Sequence, residues 1–218
     1  MVTIVIPWRP QQSRVPAFEV VTAWYRENLP DAALRVVDTD DVPFNLAACR
    51  NRGVAGVPDG EVVVIGDADT LPQRDALLEA IASAGDGYVH LPYTEYHWLG
   101  AAGTAQYRDG TSLDECDFEL VRGACSGVYV TTPETWREHG GQDESFRGWG
   151  FEDAAWYLAH ETLLGDPPRR HTGRVYALHH VAEVREGPQY DANAARMERY
   201  RAAASDPDAM RQLVTSAE

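Results

Sequence analysis

The first half of the chain alternates short apolar runs with longer amphipathic stretches, and this pattern constrains the fold most. The runs at residues 2–6, 34–37, 61–65 and 88–91 are short and rich in β-branched residues, which is typical of buried strands. Apolar residues recur at helical spacing between them. Strands that alternate with helices form parallel sheets. We therefore predict an α/β fold, a single domain with a Rossmann-like, mostly parallel sheet flanked by helices.

The second half is less regular. Residues 94–117 are polar and contain several glycines, so they are predicted to form a loop. Further along, strands are predicted at 128–130 and 174–178, and helices at 133–139 and 152–164. The chain from residue 191 is predicted to be helical, with a final helix that begins near Pro207.

The charge balance excludes several classes of partner and chemistry. Acidic residues number 34 against 19 basic ones, for a net charge of −15, which disfavours nucleic acid and anionic membrane surfaces as partners. All the basic residues are arginines, so neither lysine Schiff bases nor a P-loop lysine is possible. No apolar run approaches the roughly 18 residues that a membrane span needs. With three cysteines outside any metal motif, we expect a cytoplasmic protein without a membrane anchor.

The strongest local pattern is Gly66-Asp67-Ala68-Asp69, directly after a predicted strand. Side chains two residues apart in an extended segment project to the same side, so Asp67 and Asp69 can converge on one cation. Carboxylate oxygens suit Mg²⁺ or Mn²⁺ that carries a diphosphate. An acidic turn without a ligand is the alternative. The position at the carboxyl end of a strand favours the metal site.

A second pattern is the segment 148–153, Gly-Trp-Gly-Phe-Glu-Asp, which opens a predicted helix. Acidic residues in a first helical turn are stabilised by the helix dipole, so Glu152 and Asp153 can be a simple helix start. Asp153 can instead be a general base whose pKa the aromatic neighbours Trp149 and Phe151 raise. The segment alone leaves both interpretations open.

Two weaker patterns are more consistent with structural roles. Residues 123–127, Gly-Ala-Cys-Ser-Gly, match a nucleophile elbow, but a strand follows them instead of the helix that this motif requires. We therefore predict a buried, inert Cys125, and a close backbone approach at Gly127. His179 and His180 end the last predicted strand, and without a zinc-type cluster a structural role is the default for both.

Taken in order, five segments resemble the β-1,4-galactosyltransferase family of GT-A glycosyltransferases. They are Ile6-Pro7-Trp8-Arg9; Phe44-Asn45-x-Ala47-x-x-x-Asn51-x-Gly53; Asp67-Ala68-Asp69-x-Leu71-Pro72; Ser126-Gly127-Val128 followed by Gly148-Trp149-Gly150 and Glu152-Asp153; and His180, at the family's metal histidine. The sequence departs from the family at Gln11, Leu46, Phe151 and Ala177, where the family has two arginines, a glycine and a methionine. The resemblance implies a GT-A catalytic domain at 1–188 and a C-terminal helical tail at 189–218.

The resemblance also implies a function. It indicates a metal-dependent glycosyltransferase that moves a sugar from a nucleotide-sugar, a UDP-hexose or UDP-N-acetylhexosamine, to a hydroxyl of a glycan or protein acceptor. Asp69, His180 and Asp67 would bind Mn²⁺ or Mg²⁺, and transfer would invert the anomeric carbon with Asp153 as base and Glu152 orienting the acceptor. The implied nucleotide-sugar contacts are Pro7, Trp8, Arg9, Asp38, Phe44, Asn45, Asp67, Gly127 and Trp149.

Two alternatives stay open from the sequence. The same Asp67/Asp69 site could serve a nucleotidyltransferase or phosphohydrolase, or the chain could be a non-catalytic module that binds a glycan or nucleotide. The pair Glu152-Asp153 favours glycosyl transfer, because neither alternative explains why it accompanies the metal motif.

Overall fold

The structure is a computed structural model that describes residues 1–181 and 186–215, so residues 216–218 of the predicted tail lie outside the described residues. The strands are, in chain order, β1 (Val2–Pro7), β2 (Ala33–Val37), β3 (Val62–Gly66), β4 (Thr70–Pro72), β5 (His90–Leu91), β6 (Glu95–Trp98), β7 (Glu119–Val121), β8 (Val128–Thr131), β9 (Arg169–Arg170) and β10 (Arg174–Ala177). The helices are α1 (Val15–Asn28), α2 (Leu46–Ala55), α3 (Arg74–Ser83), α4 (Gly100–Arg108), α5 (Pro133–Glu138), α6 (Glu152–Leu164), α7 (Pro188–Ala203) and α8 (Pro207–Thr215).

The main sheet runs in the order β2-β1-β3-β8-β5-β9 through the described residues. β1 pairs in parallel with both β2 and β3, so Ile4 lies opposite Leu34 on one side and Val64 on the other. The parallel neighbours are connected through α1 and α2, as parallel pairing requires a crossover. β8 is antiparallel to β3 and β5, and β9 is parallel to β5. The predicted α/β fold, with a mostly parallel sheet flanked by helices, is confirmed.

The core is centred on β1, β3 and β8. Val5, Ile65 and Tyr129 are completely buried there. Strands covered on both faces have no solvent side, which explains why their sequences are continuously apolar. α7 and α8 pack on α6 around a second apolar cluster that includes Met197 and Met210. Among the described residues, none of the helices has both the length and the apolar character that a bilayer crossing needs.

The prediction that residues 94–117 form a loop is wrong. This segment contains β6, α4 and a short 3₁₀ turn at Leu113–Glu115. β6 belongs to a second sheet, ordered β4-β10-β6-β7. The hydrophobic pattern does not reveal α4, because the buried face of this helix consists of small residues. A Cβ on Gly103, for example, would lie 2.0 Å from the carbonyl oxygen of Asp117. The helix therefore packs by close backbone approach, without the apolar stripe that predicts a helix.

Candidate active site

Arg50, on α2, joins the two acidic motifs that are far apart in the sequence. Its side chain is fully buried. Nη2 donates to Oδ1 of Asp67 at 2.6 Å, and Nη1 donates to Oδ1 of Asp153 at 2.6 Å. Nη1 also donates to Oε1 of Gln142 at 2.8 Å. One planar guanidinium thus holds a carboxylate from the end of β3 and another from the start of α6.

The close approach of α2 to the main sheet places Arg50 in this position. Gly53 faces β1, and a Cβ atom on it would lie 2.2 Å from Cγ1 of Val5. Residues three apart share a helix face, so Arg50 also points toward the sheet and reaches the carboxyl end of β3. A larger residue at position 53 would push the helix, and the guanidinium with it, away from the carboxylates.

Asn45 fixes the start of the same helix. Its Oδ1 accepts the backbone N–H of Ala48 at 3.1 Å, and its Nδ2 donates to the carbonyl oxygen of Glu144 at 2.9 Å. This is the usual role of an asparagine cap. The side chain is 1% exposed. The structure therefore gives Asn45 a structural role, and its contact with a nucleotide-sugar stays a prediction.

Asp69 and His180 lie together beyond the end of β3. The backbone N–H of Leu178 donates to the carbonyl oxygen of Asp69 at 2.8 Å, which brings the end of β10 beside the Asp-Ala-Asp motif. Nε2 of His180 lies 2.8 Å from Oδ2 of Asp69. Its Nδ1 lies 2.8 Å from the carbonyl oxygen of Val181 and donates to it. The hydrogen bond with Asp69 raises the pKa of His180 above its ordinary value.

This pair fits a divalent cation. Because Nδ1–H donates to a backbone carbonyl, a neutral His180 imidazole would offer its Nε2 lone pair to a cation held beside Asp69, the arrangement that second-shell contacts impose on metal-binding histidines. One imidazole nitrogen and one carboxylate oxygen suit Mn²⁺ or Mg²⁺, with diphosphate oxygens and water to complete the coordination. Within the described residues, no group of three or more His, Cys, Asp or Glu side chains is placed to hold a metal. Asp67 faces Arg50 instead, and burial raises its pKa to about 6.

Three more of the predicted nucleotide-sugar residues meet near the carboxyl end of β1. Nε and Nη2 of Arg9 donate to the two carboxylate oxygens of Asp38, at 2.8 and 2.6 Å. The same guanidinium lies 5.3 Å from the centre of the Phe44 ring. The bidentate pair, whose side chains are 28% and 29% exposed, leaves both groups accessible to a ligand. The structure thus brings Arg9, Asp38 and Phe44 together.

Pro7, Trp8 and Gly127 have packing roles around this edge. Pro7 is the last residue of β1, and Trp8 stacks on Phe18 with the ring centres 4.3 Å apart. Gly127 adopts a φ of +94°, and a Cβ on it would lie 3.2 Å from Cε2 of Tyr96. The predicted close approach at Gly127 is therefore an approach of the protein's own side chains. Their contacts with a nucleotide-sugar stay predictions.

The Gly-Trp-Gly loop before α6 is held by α7. Nδ2 of the buried Asn193 donates to the carbonyl oxygen of Arg147 at 2.8 Å and lies 3.4 and 3.3 Å from those of Trp149 and Gly150. Its Oδ1 accepts the backbone N–H of Arg147 at 3.3 Å. The Trp149 ring is 37% exposed and stacks on Tyr190 at 6.1 Å. The helix that begins the predicted tail thus positions a predicted site loop.

Phe151 marks backbone strain at the same loop. Its φ is +75°, in the left-handed region that favours glycine, and the resembling family has a glycine at this position. The ring packs 5.2 Å from that of Tyr190. Such conformations persist only where surrounding contacts determine them. This turn starts α6 so that Glu152 and Asp153 form its first turn.

Glu152 and Asp153 differ in their surroundings. Oδ1 of Asp153 accepts hydrogen bonds from Arg50 and from the hydroxyl of Tyr129. Among the described residues no hydrogen bond reaches its Oδ2, so that oxygen can accept one from a ligand. Burial raises the pKa of Glu152 to about 8, and the charge of Asp153 adds to the shift. The upward shift favours the protonated carboxyl of Glu152, which can donate a hydrogen bond.

The raised pKa of Glu152 predicts a pH-dependent stability. Between its ordinary pKa of 4.5 and about 8, the unfolded chain releases a proton that the folded chain keeps, so the free energy of unfolding falls as pH rises. Glu152→Gln removes this pH-dependent contribution to the free energy of unfolding. In EDTA, urea titrations are expected to show the variant gaining stability relative to the wild type from pH 4 to pH 8. Glu138→Gln, at an exposed site on α5, should show no such trend, and an equal difference at every pH would contradict the assignment.

Sequence reasoning missed Arg50 and Asn193. Arg50 directly precedes Asn51-x-Gly53, a segment on which the family resemblance rests. The available clue was that Arg50 shares a helix face with Gly53. Asn193 had none, because its contacts are made with a loop more than forty residues away. The structure brings Asp67, Asp69, Asp153 and His180 to one edge of the sheet.

Comparisons with known proteins agree on the fold. No family model matches the sequence, and no curated protein does. Two structures of Drosophila β1,4-galactosyltransferase 7 match with TM-scores of 0.54 and 0.55, at 18% and 17% identity, covering 79% and 88% of this chain and 66% and 79% of theirs. A structure of GalNAc-T7 matches with a TM-score of 0.56 at 11% identity, covering 100% of this chain and 55% of that one. The chain thus spans just under two thirds of the first of these structures.

The matched enzymes were solved with the ligands of glycosyl transfer. The first galactosyltransferase structure holds manganese, UDP-Gal and xylobiose, and the second holds xylobiose. The GalNAc-T7 structure holds UDP, GalNAc and Mn²⁺. At this level of identity the likeness establishes the fold of the chain, and the chain has the GT-A fold.

Proposed function

We propose that the protein is a metal-dependent glycosyltransferase that moves a sugar from a UDP-hexose or UDP-N-acetylhexosamine to a hydroxyl of a glycan or protein acceptor. The Arg50 guanidinium carries the proposal, because it binds both Asp67 of the Asp-Ala-Asp motif and Asp153, each at 2.6 Å. Glycosyl transfer needs these two elements side by side: a site that neutralises the departing diphosphate and a base for the acceptor hydroxyl.

On the donor side, Asp69 and His180 would hold Mn²⁺ or Mg²⁺, and Asp67 would lie against the metal or the ribose. The cation supplies charge neutralisation on the diphosphate as it leaves. The Arg9–Asp38 pair, with the Phe44 ring beside it, would bind the nucleotide. Pro7, Trp8, Asn45 and Gly127 would shape the pocket around it from the ends of β1 and β3.

On the acceptor side, Oδ2 of Asp153 would accept the proton of the attacking hydroxyl. The acceptor oxygen then forms a bond to the anomeric carbon, the bond from that carbon to the diphosphate breaks, and its electron pair leaves with UDP. Attack from the face opposite the diphosphate inverts the anomeric carbon. Protonated Glu152 would donate to a second acceptor oxygen, and Trp149 would cover the sugar, so both contribute orientation. Residues 1–188 would form the catalytic domain, and the tail at 189–218 would support its loop through Asn193.

Calorimetry with UDP, in the presence and absence of Mn²⁺, tests the donor site. We expect binding that needs Mn²⁺ and weakens at least about tenfold in Asp69→Asn and His180→Gln, the order expected when a metal site is damaged. Asp59→Asn is the matched control, since that carboxylate pairs with Arg137 at the opposite end of the sheet. It should bind UDP as the wild type does.

A panel of UDP-sugars with Mn²⁺, followed by mass spectrometry of the products, tests the reaction. The proposal predicts UDP as a product, together with an acceptor heavier by one sugar. Pyrophosphate or free phosphate would instead identify a nucleotidyltransferase or phosphohydrolase. UDP binding without turnover of any donor would favour a binding module.

A further inference from the structure

A cavity of about 400 Å³ lies beside the candidate active site, and the reaction described above makes no use of it. It is bounded by Tyr93 and β6, by β7, by the segment that follows β7, and by Arg170 of β9. Building on the proposed glycosyl transfer, we propose that this cavity binds the acceptor. We further propose that Arg122 and Arg170 in its wall recognise an anionic group on that acceptor, a carboxylate or a phosphate.

Arg122 and Arg170 supply the positive charge of the cavity wall. Nη2 of Arg170 donates to the carbonyl oxygen of Ala124 at 2.6 Å, and its guanidinium lies 5.4 Å from the centre of the Tyr93 ring. Neither Arg170 nor Arg122 forms an ion pair with a carboxylate in the part of the chain that the structure describes. Both side chains are exposed, so their remaining N–H groups can bind a ligand.

The acidic residue in the cavity wall is already compensated. Oε2 of Glu95 accepts from Nε2 of His97 at 3.0 Å and from Nε of Arg174 at 3.2 Å. The cavity therefore presents positive charge, although the whole chain carries a net charge of −15. A cationic cavity on so acidic a protein favours an anionic ligand locally, where the overall field would repel one.

The cavity lies next to the backbone that holds the Asp-Ala-Asp motif. The hydroxyl of Tyr93 donates to the carbonyl oxygen of Ser126 at 2.6 Å. Ser126 and Gly127 directly precede β8, which pairs with β3, the strand that ends at the Asp-Ala-Asp motif. Tyr96 of the cavity wall lies beside Gly127, where an added Cβ would lie 3.2 Å from its Cε2, and the carbonyl oxygen of Gly127 accepts the backbone N–H of Asp67 at 2.8 Å. An acceptor in this cavity would therefore lie close to Asp67, which Arg50 joins to the proposed base Asp153.

The remaining walls suit a sugar ring. The partly exposed Tyr96 provides aromatic surface, and the half-exposed Leu120 and Val121 provide aliphatic surface. Aromatic rings pack against the C–H faces of sugars, while an arginine fork matches a carboxylate or phosphate through two parallel hydrogen bonds. A neutral sugar would use the first feature and leave the second unused. The acceptor class that uses both is an acidic sugar, such as a uronate or a sugar phosphate.

Binding of small probes without donor or metal tests this inference. The probes are 4-nitrophenyl β-glucuronide against 4-nitrophenyl β-glucoside, and glucose 6-phosphate against glucose, titrated by calorimetry or NMR. We expect the anionic member of at least one pair to bind about tenfold or more tightly than its neutral partner, the scale of one charge-assisted contact. The pair with the larger preference distinguishes a carboxylate ligand from a phosphate.

Arg122→Gln and Arg170→Gln should each reduce the preference for the anionic probe. Arg137→Gln should keep it, because Arg137 pairs with Asp59 at the opposite end of the sheet. Equal binding of acidic and neutral probes, or a preference that survives both substitutions, would overturn the inference. Arg122 makes no hydrogen bond within the described residues, so its variant tests the idea even if the Arg170 variant misfolds. Mn²⁺-dependent UDP binding of the same variants separates the two proposals. If UDP binds while the anionic preference is absent, the cavity assignment alone fails; if the preference is present while UDP does not bind, the transferase assignment alone fails.

Discussion

Arg50→Met is expected to lower the free energy of unfolding by about 3 kcal/mol or more at pH 7, the scale of breaking a buried ion pair. The guanidinium is 0% exposed and donates to both Asp67 and Asp153, so its removal leaves two carboxylates facing each other without compensation. For a chain of this size the loss corresponds to a decrease in Tm on the order of 10 °C. Urea denaturation and thermal scans measure both quantities.

The pH dependence of this loss identifies its cause. As pH falls toward 4, the uncompensated carboxylates of the variant take up protons and their repulsion disappears, so the gap between Arg50→Met and the wild type should narrow. Asp67→Asn in the Arg50→Met background should recover part of the stability for the same reason. Arg137→Met is the control: its ion pair with Asp59 is 57% and 64% exposed and is expected to contribute less than about 1 kcal/mol. If both methionine variants lose equally little, Arg50 does not hold the site together.

Arg50→Lys separates stability from function. A lysine keeps the positive charge but presents a single ammonium, which cannot bridge two carboxylates with the fixed geometry of a fork. We expect this variant to recover much of the stability and little of the activity. In stability Arg50→Lys should therefore lie nearer the wild type, whereas in turnover it should lie nearer Arg50→Met, a difference that a purely structural role for Arg50 would not produce.

Most of the main sheet was predictable because its information is local. Val62–Gly66 is buried on both faces, so burial dictates a continuous apolar run that pattern analysis recognises. The acidic pair Asp67 and Asp69 was recognisable for a related reason, since it directly follows that run. α4 was not predictable, because its buried residues are Gly103 and Thr104, which pack closely against the rest of the protein without forming an apolar stripe.

The connections within the site were beyond sequence reasoning. An arginine on a ten-residue helix is ordinarily solvent-exposed. Nothing near Arg50 in the sequence shows that it will pair with Asp153, which lies 103 residues further along the chain. The same holds for Asn193 and the Gly-Trp-Gly loop. The sequence could propose Asp153 as either a helix start or a base. The structure adds that one of its two oxygens is held by Arg50 and Tyr129, while no protein hydrogen bond among the described residues reaches the other.

Asp153→Asn is expected to lower kcat by about 100-fold or more, the scale of losing a general base, while the affinity for UDP with Mn²⁺ barely changes. The side-chain oxygen of the asparagine should occupy the Oδ1 position, since Arg50 and Tyr129 both donate there. The amide nitrogen then falls at the Oδ2 position, where it cannot accept a proton from the acceptor. The substitution thus preserves shape and removes only the proposed proton acceptor.

Tyr129→Phe is the matched control for this prediction. It removes one donor to Oδ1 and leaves Oδ2 in place, so kcat should fall less than about tenfold, as expected for a change in orientation alone. Steady-state kinetics with donor and acceptor varied separately distinguish the two variants, because only Asp153→Asn should lose about 100-fold in kcat while donor binding is retained. The NMR coupling of the product's anomeric proton supplies an independent check. A base on the face opposite the diphosphate requires inversion, so a product with the donor's own anomeric configuration would rule out this role for Asp153 even if its substitution abolished activity.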